Sequence, residues 1–168
     1  MDEDFAAFAR DRQQQLYRTA YLLSGNRDRA QDLVQSTLVA LLKSWGRVRE
    51  AENPDAYART VLIRVFLTER RRLRREAEIH ALAFAGPAAH AAAPEASTDL
   101  RLTILQALRS LPPKPRAMVI LRYWEDLSVE QTAAVLGCSE GNVKSQCSRS
   151  LEKLRTLLGD RFTELVAH

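Results

Sequence analysis

The sequence has few of the residues that metal centres and covalent chemistry need. Two cysteines, Cys138 and Cys147, and three histidines are scattered through 168 residues. With no CxxC pair, they supply neither a disulfide framework nor a metal-ligand set, so two reduced thiols and no bound metal are expected. There is no Gly-rich phosphate loop, no pair of catalytic carboxylates and no nucleophile motif, so no enzyme and no cofactor are expected. No apolar run is long enough to span a bilayer, and the opening Met1-Asp2-Glu3-Asp4 is acidic where a secretory signal carries positive charge. The expectation is a cytoplasmic protein with no membrane contact.

What is present is hydrophobic residues, at 46% enough to bury one ordinary core or two small helical ones, and basic charge in one place. Residues 1–42 carry five Arg against six acids, residues 43–76 ten basic against five acidic, and the remainder ten of each. The net +4 therefore resides in the middle segment, which contains Glu69-Arg70-Arg71-Arg72-Leu73-Arg74-Arg75. Clustered guanidinium groups suit phosphate contact and counterion release, although a short basic run taken alone also fits a solvated helix face.

The first half reads as three amphipathic helices. Phe5, Phe8, Leu16, Ala20 and Leu23 mark the first, which stops at Ser24-Gly25-Asn26. Ala30, Leu33, Val34, Thr37, Leu38, Leu41, Leu42 and Trp45 mark the second, with Gly46 ending it before a polar stretch from Arg47 to Glu52. Asn53-Pro54 then supplies a cap and a first-turn proline for a helix through Tyr57, Val61, Val65 and the arginine run. From Ala77 to Ser97 the composition turns to alanine with Gly86, Pro87 and Pro94 and loses its periodicity, as a linker would. The expected fold is all-α: two small helical domains, 1–76 and 99–168, joined by a flexible linker over 77–98.

In the second half Leu100, Ile104, Ala107, Leu108 and Leu111 form one stripe ending at Pro112-Pro113, and a further helix is expected over Pro115 to Trp124. Two closely joined helices follow, Ser128 to Leu136 and Ser139 to about Leu158. Ser128 with Gln131 makes a capping box and Ser139 is a second N-cap. Ala133 is small where the helices cross, Gly137 can take a positive φ, and Val143 is apolar where the second helix meets the first. Ala-x-x-x-Gly-x-x-x-x-x-Val is a helix-turn-helix spacing. A plain helical hairpin shares this pattern in part. Rotation at about 100° per residue turns Val143, Cys147, Ser150, Leu151 and Leu154 inward, and Gly141, Asn142, Ser145, Ser148, Arg149 and Glu152 outward. Short polar side chains flanked by Lys144, Lys153 and Arg155 suit a major groove.

Three stretches then carry a resemblance: Leu111-Pro112-Pro113-Lys114-Pro115-Arg116-Ala117, Leu121-Arg122-Tyr123-Trp124-Glu125-Asp126-Leu127-Ser128 and Gly137-Cys138-Ser139-Glu140-Gly141-Asn142-Val143-Lys144-Ser145-Gln146. They resemble region 4 of extracytoplasmic-function sigma factors in the sigma-70 family, in wording closest to a subgroup common in actinobacteria. Ala30-Gln31-Asp32-Leu33-Val34-Gln35, followed by Trp45, resembles the region 2 helix that grips the polymerase clamp.

The resemblance implies a subunit that joins bacterial RNA polymerase core, reads promoter double-stranded DNA at −35 and helps melt the −10 region. Asp32 and Gln35 would contact the polymerase. Arg47 to Asp55 would form the loop that captures a flipped base. Arg59, Arg64, Arg70, Arg71, Arg72, Arg74 and Arg75 would lie on or near −10 DNA, and Asn142, Lys144, Ser145, Ser148, Arg149 and Lys153 at −35 DNA. The resemblance also leaves room for an anti-sigma factor as partner. Arg64 and Glu69 stand where related sequences more often carry Asn and an aromatic residue, so the −10 base preference does not transfer, and Ser36 replaces a usual acid beside the clamp-binding motif, a departure that bears on the polymerase contact. Against this reading, an ordinary helix-turn-helix repressor or activator explains the second half but leaves Asp32-Leu33-Val34-Gln35 and the basic helix without purpose. A purely protein-binding adaptor wastes the localised charge.

Overall fold

The structure, a computed structural model, describes residues 2–83 and 100–163, and every regular element among them is helical. The first unit comprises α1 (Glu3–Ser24), α2 (Arg27–Lys43), α3 (Trp45–Glu50) and α4 (Pro54–Ala83). Its helix starts are set by side chains. Asp2 accepts from the Asp4 amide, Asn26 from Arg29 and Asn53 from Ala56, each satisfying a donor that the first turn leaves free. Gly25 closes α1 at φ 69°, a left-handed conformation that costs glycine little. Leu23, Leu33, Leu41, Leu62 and Ile63 fill the space between α1, α2 and α4.

The second helix does not run through Trp45 to stop at Gly46. It ends at Lys43, because the Ser44 amide turns back to the Ala40 and Leu42 carbonyls and the Ser44 hydroxyl donates to Ala40 at 3.0 Å. Gly46 lies within α3 at ordinary φ. The stretch expected to be irregular from Arg47 is thus helical to Glu50, anchored by fully buried Val48 and by Trp45, whose ring meets Phe5 and Phe8 at 5.3 and 5.2 Å. Leu42, expected in the apolar stripe, is 41% exposed. Helix α4 continues past residue 76 to Ala83, as its alanine-rich sequence permits. The rest of the expected linker, with Gly86, Pro87 and Pro94, lies outside the described residues.

The second unit comprises α5 (Leu100–Arg109), α6 (Pro113–Tyr123), α7 (Val129–Leu136) and α8 (Glu140–Leu158), followed by a 3₁₀ turn over Gly159–Arg161. Helix α6 begins at Pro113 rather than Pro115. Both prolines fall in its first turn, where the missing amide protons had no intrahelical acceptor.

The two units are packed together. Helices α1 and α4 lie against α5, α6 and α7, and one continuous buried cluster extends from Phe5 through Leu62, Leu108 and Ile120 to Leu158. Arg116 crosses the seam, 4% exposed, donating to the Leu23 carbonyl at 2.6 Å and to the Leu111 and Arg109 carbonyls on its own side. Burial, with Arg70 and Arg109 nearby, lowers its pKa to about 10, so it remains a cation at neutral pH. Arg109 lies over Gly25 so closely that a Cβ there would come within 2.4 Å of its Cδ.

Candidate nucleic-acid interface

The helix-turn-helix forms as its sequence specifies. Ser128 and Gln131 exchange both hydrogen bonds of a capping box, Gly137 takes φ 66°, and Ser139 accepts from the Asn142 amide at 3.0 Å. Val143 and Cys147 join Met118 and Ala133 in a small core of their own, with Ser150 and Leu154 also buried and Leu151 partly so. Burial raises the Cys147 thiol pKa, keeping it protonated as a packing residue. On the opposite side Gly141, Lys144, Ser145, Ser148, Arg149 and Glu152 are exposed and Asn142 half-buried. Lys153 is also exposed, but its ammonium reaches the Ser110 carbonyl at 2.9 Å, tying α8 to the end of α5.

The arginines expected to line one DNA strand separate into sets. At about 100° per residue, Arg64, Arg71 and Arg75 fall within ~40° of one another on α4. All three are exposed. Arg64 also borders a cavity of about 370 Å³ lined by Ala51, Asn53, Tyr57, Thr60 and Val61, beside the turn from α3 into α4. That turn is what remains of the expected base-capture loop. Arg72 and Arg74 make exposed i,i+4 pairs with Glu76 and Glu78 at 4.0 and 3.5 Å, weak contacts that a phosphate can displace. Arg59 and Arg70 face the second unit instead. Arg59 Nη1 lies 3.4 Å from Glu125 Oε2, and the pKa of Arg70 is lowered by burial and by Arg29 and Arg109.

On α2, Asp32 and Gln35 are exposed as expected, and Val39 and Leu42 extend them into one surface stripe, 51% and 41% exposed. The four positions span about 80° of the helix. Sequence reasoning missed the two apolar members. The available signal was Val39, an apolar residue one turn beyond Gln35 and off the buried stripe.

Comparison with known proteins gives this surface a context. Residues 8–76 match the family model "Sigma-70 region 2" and residues 101–154 match "Sigma-70, region 4". The chain is 36% identical over 165 residues to an RNA polymerase sigma-E factor of Streptomyces avermitilis, covering 94% of this chain and 87% of that one. The chain belongs to the sigma-70 family. An extracytoplasmic-function sigma factor, SigM of Mycobacterium tuberculosis, is 30% identical over 92% of this chain and 77% of its own length. Among solved structures, the sigma factor RpoE of Bartonella quintana, crystallised with the anti-sigma factor NepR, superposes with a TM-score of 0.69 at 32% identity. The superposition covers 94% of this chain and 98% of that one. This sigma factor thus belongs to the extracytoplasmic-function branch. Its α1–α4 correspond to region 2 and α5–α8 to region 4. Among the described residues no helix is long and apolar enough to cross a membrane, and no His/Cys/Asp/Glu cluster could hold a metal.

Proposed function

We propose that this sigma factor, acting in the cytoplasm and without catalysis of its own, delivers core RNA polymerase to its promoters. In this reading α8 enters the −35 major groove with Asn142, Ser145, Ser148 and Arg149 towards the bases and Lys144 and Lys153 towards phosphate. Arg64, Arg71 and Arg75 track melted −10 DNA beside the cavity at Tyr57; Arg59, Arg72 and Arg74 add phosphate contacts once their carboxylate partners release them, and Arg70 joins them when the seam exposes it. Asp32, Gln35, Val39 and Leu42 meet the polymerase. The observation that carries the reading is that stripe: an exposed surface, part polar and part apolar, on the same chain as an exposed helix-turn-helix, which an ordinary repressor does not need. The B. quintana structure supports adding an anti-sigma factor to the expected partners.

The test is competition for core polymerase. Asp32→Arg with Gln35→Arg should leave the circular dichroism unchanged, since both side chains are off the core, while reducing holoenzyme formation at least about tenfold by placing repulsive charge in the contact. Full competition by the double variant removes this stripe from the account.

A further inference from the structure

Glu125 occupies a site built for an anion. It follows α6 in a turn with little freedom: Asp126 takes φ 53°, the Glu125 amide donates to Ile120 at 3.1 Å, the Leu127 amide donates to Leu121 at 2.9 Å, and Arg122 Nη1 holds the Leu127 carbonyl at 2.6 Å. The turn aims the Glu125 carboxylate across the seam, where one oxygen accepts from the Thr19 hydroxyl and the other lies 3.4 Å from Arg59 Nη1. These partners come from α1 and α4 of region 2, whereas Glu125 comes from region 4. A pocket of about 30 Å³ adjoins the contact, and Arg59 Nε is buried there without a hydrogen-bond partner. The other cation in its wall, Arg12, is already paired with Asp55. A hydroxyl donor and one guanidinium nitrogen therefore meet on this carboxylate, while Arg59 Nε remains buried without a partner. That set serves a phosphodiester at least as well, since guanidinium binds phosphate through two nitrogens.

Docking of the units is incompatible with reading a whole promoter. Elements at −35 and −10 are separated by roughly 85 Å along B-form DNA at 3.4 Å per base pair. A compact chain of this length has a radius of gyration of only about 15 Å. The seam must open for both regions to engage, and opening withdraws Glu125 from Thr19 and Arg59. Like charge also gathers at the other end of the seam, where burial with Arg70 and Arg109 nearby lowers the proton affinity of Arg116, and none of these three arginines is within ion-pair reach of a carboxylate among the described residues.

We propose that Thr19 and Arg59 form a phosphate seat for a melted promoter strand, and that Glu125 fills this seat in the docked chain as an intramolecular competitor of DNA. The proposal rests on the sigma-factor reading and adds to it a residue of region 4 that restrains region 2. Glu125 is a positioning residue: it acts through Arg59 and does not touch DNA.

The test is a double-variant cycle on the full chain, with a mixed-sequence single-stranded DNA 20-mer as probe, since phosphate contacts are independent of sequence. Glu125→Gln should tighten binding by about 3- to 5-fold, a modest factor because both side chains keep some solvent contact. In an Arg59→Ala background the same change should do nothing. Thr19→Val should reduce the gain. An equal gain in both backgrounds means that Glu125 acts only as a distant negative charge and overturns the seat, as does the absence of any gain. If Glu125→Gln does not fold, Glu125→Asp, which keeps the charge but shortens its reach, replaces it in the same cycle with the same expectations. Core polymerase binding by the unaltered chain is measured in parallel. Its failure counts against the sigma-factor reading, whereas normal core binding without coupling between Glu125 and Arg59 counts against the seat alone.

Discussion

In region 4 the core and the proposed DNA-reading face alternate along a single helix, and the start, turn and inward positions of that arrangement all lie within residues 128–158. In region 2 the proposed contact residues are divided between α2 and α4, and two of the seven expected arginines are turned towards the other half of the protein. The difference is one of range. A helix-turn-helix is specified by local chemistry, a hydroxyl three residues before an amide or a glycine where φ must be positive, whereas the role of a surface arginine depends on what stands opposite it.

The same distinction explains what could be read from sequence. The boundaries of α7 and α8, the inward placement of Cys147 and the exposed recognition face follow from period and caps. The end of α2 was misplaced because Gly46 is a stronger stop signal by composition than Ser44, whose turn is held by its own side chain on Ala40. The seam was not legible. Glu125 meets Thr19 across 106 positions and Arg116 meets Leu23 across 93, and no periodicity encodes contacts of that span. The expectation of two helical units holds, with the addition that they share buried surface.

That shared core can be tested where the expected effect is largest. Leu154, fully buried in the cluster that runs through both regions, should cost about 2–5 kcal/mol on truncation to alanine. Thermal unfolding followed by circular dichroism should shift as one transition for the whole chain. If only part of the helical signal moves and the remainder melts where it did before, the units are energetically separate and the comparison reduces to two unrelated domains.

Smaller effects distinguish reading from gripping on α8. Arg149→Ala should cost about 1–3 kcal/mol and relax preference at one −35 position, while Lys144→Ala should weaken all sequences alike and reduce the salt slope by about one ion. Binding of the full chain in holoenzyme to a randomised −35 duplex at several salt concentrations gives both numbers. A lost base preference with Lys144→Ala, and an intact one with Arg149→Ala, means that the helix lies rotated in the groove.

The smallest expected effect concerns the cysteines. Cys147→Ala should cost about 1–2 kcal/mol, as small core truncations do, and Cys147 should be alkylated more slowly than half-buried Cys138. Because burial raises the Cys147 pKa, its contribution to stability is full below the unfolded thiol pKa and declines as pH rises through the folded value. Mass spectrometry after timed alkylation orders the two thiols; faster modification of Cys147 would place it outside the helix-turn-helix core.

The central claim is that one chain joins polymerase and reads two promoter elements at once. Transcription from a randomised promoter library by core polymerase reconstituted with this protein tests it most directly. The account predicts start sites that depend on the added chain and share two conserved blocks, one near −35 and one near −10, with Arg149→Ala altering only the first. Chain-dependent DNA binding without any chain-dependent start sites would contradict it and leave an ordinary helix-turn-helix repressor in its place.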